Sequence, residues 1–205
     1  MREQGELDTA QWFAQVEKAW EKHRTEKNEK ITATKYLNWQ NKLTDQDMDA
    51  PFVVLYSASG KDANAYALRR ADLDLPFLAD NKSYVFSTYN EEEAQYLAAF
   101  LNSNQANEAM KPFQSTGLFG ARDVHRKILD VPLPRFSATN PQHQALAALG
   151  REAAAAVAAY VAGSGVAGTD YAVGKVRRHL RQVVLAEVLP RIDAALAALL
   201  PPPAA

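Results

Sequence analysis

The chain contains no cysteine among its 205 residues. Disulfide bonds and thiolate metal sites are therefore excluded, and the composition is typical of a reducing compartment. Long apolar runs are also missing, because the alanine-rich stretch Ala153–Val161 is shorter than the roughly 18 residues that a membrane-spanning helix needs. The first residues show no basic segment followed by an apolar one, so we expect no secretory signal there. These absences predict a cytoplasmic protein without a membrane segment.

A surplus of charge of either sign is missing too. The chain carries 23 lysines and arginines against 24 aspartates and glutamates, which gives a formal net charge of -1. Overall electrostatics therefore do not favour binding to nucleic acid. Any DNA-binding surface must arise from local segregation of positive charge.

Motifs that carry catalytic chemistry are absent as well. The sequence has no glycine-rich phosphate loop, no GxSxG nucleophile elbow and no HExxH zinc motif. The four histidines, at 23, 125, 143 and 179, do not have a paired-ligand spacing. We therefore expect no metal, no bound cofactor and no complete catalytic centre in this chain, and a free-standing enzyme is the weakest of three hypotheses.

What is present divides the sequence by composition. Aromatic residues, polar residues and β-formers mix before Asn140, whereas alanine and leucine dominate after it. The pattern predicts an α+β fold with a small mixed sheet, flanking helices and a C-terminal antiparallel pair of long helices. We place an N-terminal helix within residues 1–30, an α+β body over residues 31–137 and an alanine-rich helical tail over residues 138–205.

Several elements of the body can be located. Pro51–Tyr56 and Lys82–Tyr89 have the β-branched and aromatic residues of strands. Asn90 followed by Glu93 has the spacing of a capping box and predicts a helix running to about Leu101. Ile128–Leu133 resembles a short edge strand, since a proline within it cannot donate to a neighbour.

The tail predicts two helices joined by a glycine-containing turn at 163–168. The first covers about Gln142–Val161 and begins after a proline that suits a first helical turn. The second covers about Tyr171–Leu199, and Pro190 should kink or restart it. These helices either pack on the body or dock another protein, and the sequence favours neither.

The segment Lys111–Arg135 is locally basic, with five basic residues against two aspartates. Phosphate contact requires such a local surplus, and glycines let a backbone approach a sugar-phosphate strand closely. Polar side chains beside them can reach phosphates or base edges. The candidate DNA-binding residues are Lys111, Gln114, Ser115, Gly117, Gly120, Arg122, His125, Arg126 and Lys127. The alternative is structural: Arg122 pairs with Asp123, and the glycines only turn a hairpin.

Three stretches together match one longer pattern. They contain the motifs YLNWQNKLTDQ, EEEAQYLAAFLNS and FQSTGLFGARDVH, the last followed by KIL and LPRF, at 36–46, 91–103 and 113–136. Their order and spacing resemble the C-terminal target-recognition region of adenine-specific N6 DNA methyltransferases of type IIG and type I restriction-modification and related phage-defence systems. The resemblance also extends to the recognition domains of type I specificity subunits and covers roughly residues 35–150.

The resemblance implies sequence-specific recognition of double-stranded DNA on behalf of a methyltransferase domain or subunit. It does not imply methyl transfer by this chain, because the family's Asn/Asp-Pro-Pro-Tyr/Phe tetrapeptide is missing. S-adenosylmethionine is therefore expected only in the absent catalytic half. The second hypothesis is a protein-interaction module, similar to a specificity subunit, that docks a methyltransferase or nuclease through its C-terminal helices.

Overall fold

The computed structural model describes residues 6–80, 82–117, 120–121, 124, 128–129, 131–164 and 172–200. The chain forms two compact units, Met1–Gln46 and Asp47–Ala205. The fold is mixed helix and sheet, as the sequence predicts, and the strands and the C-terminal helices belong to the second unit.

The first unit is a helical segment held by a few polar contacts. Helix α1 spans Leu7–His23 and helix α2 spans Ala33–Leu37. The indole of Trp20 donates to the carbonyl oxygen of Ile31 at 2.6 Å, and the Glu17 carboxylate accepts from the Ala33 N–H at 3.0 Å. These two contacts hold residues 31–33 against α1. Helix α1 is the predicted N-terminal helix.

The second unit is built on a three-stranded sheet in the order β2-β1-β3. Strand β1 spans Phe52–Ser57, β2 spans Ala65–Arg69 and β3 spans Ser83–Thr88. Both pairings are antiparallel, so the predicted mixed sheet is wrong in this respect. Strands β1 and β3 coincide with the two predicted strands. Strand β2 was not predicted, because its sequence AYALR contains two alanines, which favour helix.

Helix α3 spans Glu91–Asn102, and Asn90 caps its N-terminus as predicted. The Asn90 side chain accepts from the backbone N–H groups of Glu92 and Glu93. In a capping box the Glu93 side chain would accept from the Asn90 N–H, but here Thr88 lies between these two groups. Its hydroxyl oxygen accepts from the Asn90 N–H at 3.1 Å, and its hydroxyl donates to the Glu93 carboxylate. The N-terminus of α3 is therefore tied to the end of β3.

The core of the second unit surrounds α3. Phe100, Leu101 and the alanines of this helix are buried against the sheet on one side and the C-terminal helices on the other. Gly150 marks the closest approach, because a Cβ there would lie 2.4 Å from the Gln95 carbonyl oxygen. The C-terminal helices are therefore part of the core that buries α3.

The described residues between α3 and the tail form only short regular elements. Helix α4 spans Asn104–Met110, and the two-residue strands β4, Thr116–Gly117, and β5, Gly120–Ala121, pair with one another. The predicted edge strand Ile128–Leu133 is wrong for its described residues: residues 128–129 form a helical turn and residues 131–133 belong to no strand. Pro132 and Pro134 remove backbone donors that a ladder would need.

The described residues of the C-terminal segment, 141–164 and 172–200, form one long helix and one divided helix. Helix α5 spans Pro141–Ser164, α6 spans Val173–His179 and α7 spans Val188–Ala197. A π-helical turn, Leu180–Val184, separates α6 from α7. The predicted second long helix is thus not formed as a continuous element. Pro190 explains the restart, because its ring would clash with the carbonyl group four residues earlier in a continuous helix.

Helix α5 is long and apolar enough to cross a membrane by length and composition, since an 18-residue window within residues 141–163 has a mean hydropathy of 1.4. Its two charged residues, however, have partners on neighbouring helices. Arg151 lies 4.0 Å from the Glu92 carboxylate, and Glu152 pairs with Arg191. These contacts, together with Gly150 against α3, are compatible with a soluble protein in which α5 packs on the body.

Candidate nucleic-acid interface

The loop between β1 and β2 is held in place by buried side chains. Gly60 has a φ of +146°, a conformation that favours glycine. The Ala63 N–H donates to the Asn107 side-chain oxygen at 2.6 Å. The Asn107 amide group in turn donates to the carbonyl oxygens of Leu101 and Ser103. A single buried asparagine therefore joins this loop to the α3–α4 corner.

Gln114 fixes the tip of the same loop. Its side-chain amide donates to the carbonyl oxygen of Lys61 at 3.0 Å and to that of Gly60 at 3.3 Å. The side chain is nearly buried, with 9% of its surface exposed. In this arrangement Gln114 positions a neighbouring loop, and its amide nitrogen is occupied by backbone carbonyl groups.

The other predicted site residues fall into three groups. Lys111 is part of a short 3-10 turn and pairs with Glu108 on the surface, where such pairs contribute little. Ser115 is exposed, and Gly117 pairs with Gly120 across the β4–β5 ladder. The remaining predicted residues lie outside the described part of the chain: Arg122, His125, Arg126 and Lys127.

A second basic cluster lies on the α6 segment. The run KVRRHLR at 175–181 contains four lysines and arginines and no acidic residue. Within the described ranges, Lys175, Arg177 and Arg178 form no ion pair. Their charges therefore remain available to an external anion.

Arg181 anchors this cluster to the body. Its guanidinium group donates to the carbonyl oxygen of Asn102 at 3.2 Å and to the side-chain oxygen of Asn104 at 2.7 Å. Asn104 also donates to Asp193 of α7 at 2.8 Å. The π-helical turn brings Arg181 to this position, since the Leu185 N–H bonds to the Leu180 carbonyl oxygen at 2.8 Å. The C-terminal end of α3 thereby gains a cationic partner for an otherwise open carbonyl group.

The β1–β2 loop and the α6 segment enclose one cleft of about 440 Å³. Lys61 comes from the loop, whereas Arg177, Arg178 and Arg181 come from α6 and the π-helical turn, and Asp62 is the one carboxylate among the described residues that line the cleft. We name this the basic cleft. Several cations around one concave surface attract a phosphate chain, and arginine can bind each phosphate with two parallel hydrogen bonds.

No protein-family model, curated protein or solved structure matches this chain. Sequence reasoning did not single out the residues of the basic cleft. The run KVRRHLR indicates the basic part on α6. Lys61, however, is an isolated lysine more than a hundred residues away, and no sequence pattern links it to that run.

Proposed function

We propose that this chain binds double-stranded DNA and selects the target site for an adenine-N6 DNA methyltransferase of a restriction-modification or phage-defence system. Methyl transfer, and S-adenosylmethionine with it, belongs to a separate catalytic domain or subunit. The site of action is the cytoplasm. The pattern of residues 35–150 suggests the system, and the basic cleft supports the contact with DNA.

One observation carries the proposal. Lys61, Arg177 and Arg178 lie around a single concave surface in a chain whose net charge is -1, and none is neutralised by a described residue. On a typical protein surface, positive and negative side chains are interspersed, so their fields largely cancel and do not attract a polyanion. A local set of unpaired cations is the electrostatic feature that binding to phosphates requires.

The arrangement also joins this cleft to the predicted recognition segment. Gln114 belongs to that segment, and its side chain holds the Gly60–Lys61 backbone, so this residue of the segment lies against the loop. Phosphate contacts from the cleft would fix the register of the protein on the duplex. Base contacts from the segment at 111–127 would then supply the sequence preference.

The test is a salt titration of affinity for a labelled duplex of about 20 base pairs, a length typical of a protein-bound site. Lys61→Ala and Arg177→Ala should each weaken binding and each lower the slope of log affinity against log salt by about one. Arg69→Ala is the matched control, because Arg69 is exposed at the far end of β2. Equal slopes for all four proteins would contradict the proposal.

The protein-interaction hypothesis has its own supporting observation. Val173 and Val183, on α6 and the π-helical turn, are 61% and 60% exposed. Exposed apolar side chains on two consecutive elements suit contact with another protein. If docking were the whole function, the intact chain would show no salt-dependent affinity for DNA, which the same titration reveals.

A further inference from the structure

A second cavity lies on the opposite edge of the sheet from β2. It has a volume of about 540 Å³ and is bounded by β1, β3, α3, Leu129 and residues from 131–136. Binding sites for small organic ligands typically have volumes of about 300–1,000 Å³. We name this cavity the aromatic cleft. Its aromatic lining residues are Tyr56, Tyr84, Phe86, Tyr96, Phe100 and Phe136.

The rings of this cleft are arranged in contact with one another. Tyr56 and Tyr84 are stacked with ring centroids 4.9 Å apart, and Tyr96 and Phe136 lie 5.5 Å apart. The Tyr96 hydroxyl donates to the Pro134 carbonyl oxygen at 2.8 Å, which holds Pro134 against α3. Phe86 is 40% exposed on β3, so part of its ring surface faces the open side. Exposed aromatic surface of this kind stacks well on a planar ring.

Two charged groups stand out among these rings. Glu93 uses one carboxylate oxygen for the Thr88 hydroxyl, while its other oxygen has no donor among the described residues. Arg135 is exposed and makes no ion pair or hydrogen bond with the described chain. The two groups form no ion pair with each other. A ligand that complements the cleft therefore carries a planar ring, a hydrogen-bond donor and an anion.

We propose that the aromatic cleft binds a nucleotide whose base carries an exocyclic amino group. The base stacks on the aromatic rings, its amino group donates to the free oxygen of Glu93, and its phosphate binds Arg135. Base stacking on aromatic side chains and pairing of a carboxylate with an exocyclic amine are established modes of recognition. The ligand has two possible sources, a free mononucleotide and an unpaired nucleotide of a DNA strand; in the second case the inference rests on the proposed DNA binding.

Calorimetry of the intact chain with mononucleotides tests the cleft without any DNA. Adenosine and cytidine monophosphates should bind, whereas thymidine monophosphate, which lacks the amino group, should bind about tenfold more weakly, as expected for one lost hydrogen bond to a charged group. Adenosine without phosphate should also bind more weakly. Equal affinities for all four compounds, or no binding at millimolar concentration, would overturn the proposal.

Variants assign the effect to this cleft. Phe86→Ala should weaken adenosine monophosphate about tenfold, in the range of base stacking on an aromatic ring. Glu93→Gln should abolish the preference over thymidine monophosphate, since the amide offers a donor as well as an acceptor. Tyr66→Ala is the control, because Tyr66 is 49% exposed on β2 and lies outside the cleft. Thermal melts of each variant verify folding, and an unchanged preference in folded Glu93→Gln would overturn the role of Glu93.

Two duplexes distinguish the sources of the ligand. If the nucleotide comes from DNA, a duplex with one unpaired adenine should bind more tightly than a fully paired duplex, and Phe86→Ala should remove the difference. If the cleft takes only free nucleotide, the two duplexes should bind equally while adenosine monophosphate still binds. Failure of the DNA proposal appears separately, as unchanged duplex binding in Lys61→Ala.

Discussion

The side-chain amide of Gln114 donates to the carbonyl oxygen of Lys61 at 3.0 Å, across 53 positions of sequence. The contact joins the segment that the sequence singles out for DNA recognition to the loop that carries a cation of the basic cleft. Gln114, which the sequence predicts to contact DNA, therefore also holds a loop of the protein. Its replacement should affect both folding and DNA binding.

Gln114→Ala should lower the free energy of unfolding by about 1–3 kcal/mol, because the carbonyl groups of Gly60 and Lys61 lose their donor in a nearly buried place. Urea denaturation measures this change. DNA affinity should fall as well, since the loop that carries Lys61 is released. Gln142→Ala, at an exposed glutamine of α5, is the control and should leave both quantities unchanged. Wild-type stability in Gln114→Ala would show that the contact contributes nothing.

The crossing of α3 and α5 is predicted to tolerate no side chain at Gly150. Gly150→Ala places a Cβ 2.4 Å from the Gln95 carbonyl oxygen and 3.4 Å from the Ala99 Cβ, so the helices must separate. We expect a loss of about 1–3 kcal/mol in stability, typical of overpacking. Gly163→Ala is the matched control, because nothing lies within 4 Å of its Cβ position in the same helix. It should gain up to about 1 kcal/mol from helix propensity. Equal melting temperatures of the two variants would argue against a close crossing.

Tyr96 should make stability depend on alkaline pH. Burial raises the pKa of its phenol from 10.0 to about 12. Because the folded state holds this proton more tightly than the unfolded state, the contribution is fully present below pH 10 and is lost as the pH rises towards 12. Denaturation of wild type and Tyr96→Phe at several pH values isolates the effect. The advantage of the wild type should shrink between pH 10 and 12, and a constant difference would contradict the assignment.

Arg122 and Lys127 lie outside the described residues, and their role remains a prediction from sequence. If both bind phosphates, Arg122→Ala and Lys127→Ala should weaken all duplex sequences alike and lower the salt slope by about one each. If Arg122 instead reads a guanine, its loss should cost about 1–3 kcal/mol and relax preference at one base pair. A pairing of Arg122 with a carboxylate would leave binding intact and reduce thermal stability slightly. Unchanged affinity and slope in both variants would remove this segment from the interface.

The sequence by itself determined the elements whose signals are local. The β-branched run at 53–54 predicts β1, and Asn90 fixes the start of α3 because a side-chain oxygen satisfies the open N–H groups of a first helical turn. Pro190 likewise predicts the restart at α7, since a proline lacks the donor that a helix interior needs. Each of these effects acts within a few residues and can be read without knowledge of the fold.

Only the tertiary structure decided where distant residues meet. Strand β2 forms because β1 supplies its hydrogen-bonding partner, although its alanines favour helix. Lys61 lies beside the arginines of α6 because three side chains hold the elements in place. Asn107 and Gln114 hold the β1–β2 loop, and Arg181 holds the π-helical turn against the end of α3. The rings of the aromatic cleft come from β1, β3, α3 and an irregular segment. Such sites arise from long-range contacts, whose free energy depends on packing between elements, and local patterns such as KVRRHLR do not predict which elements meet.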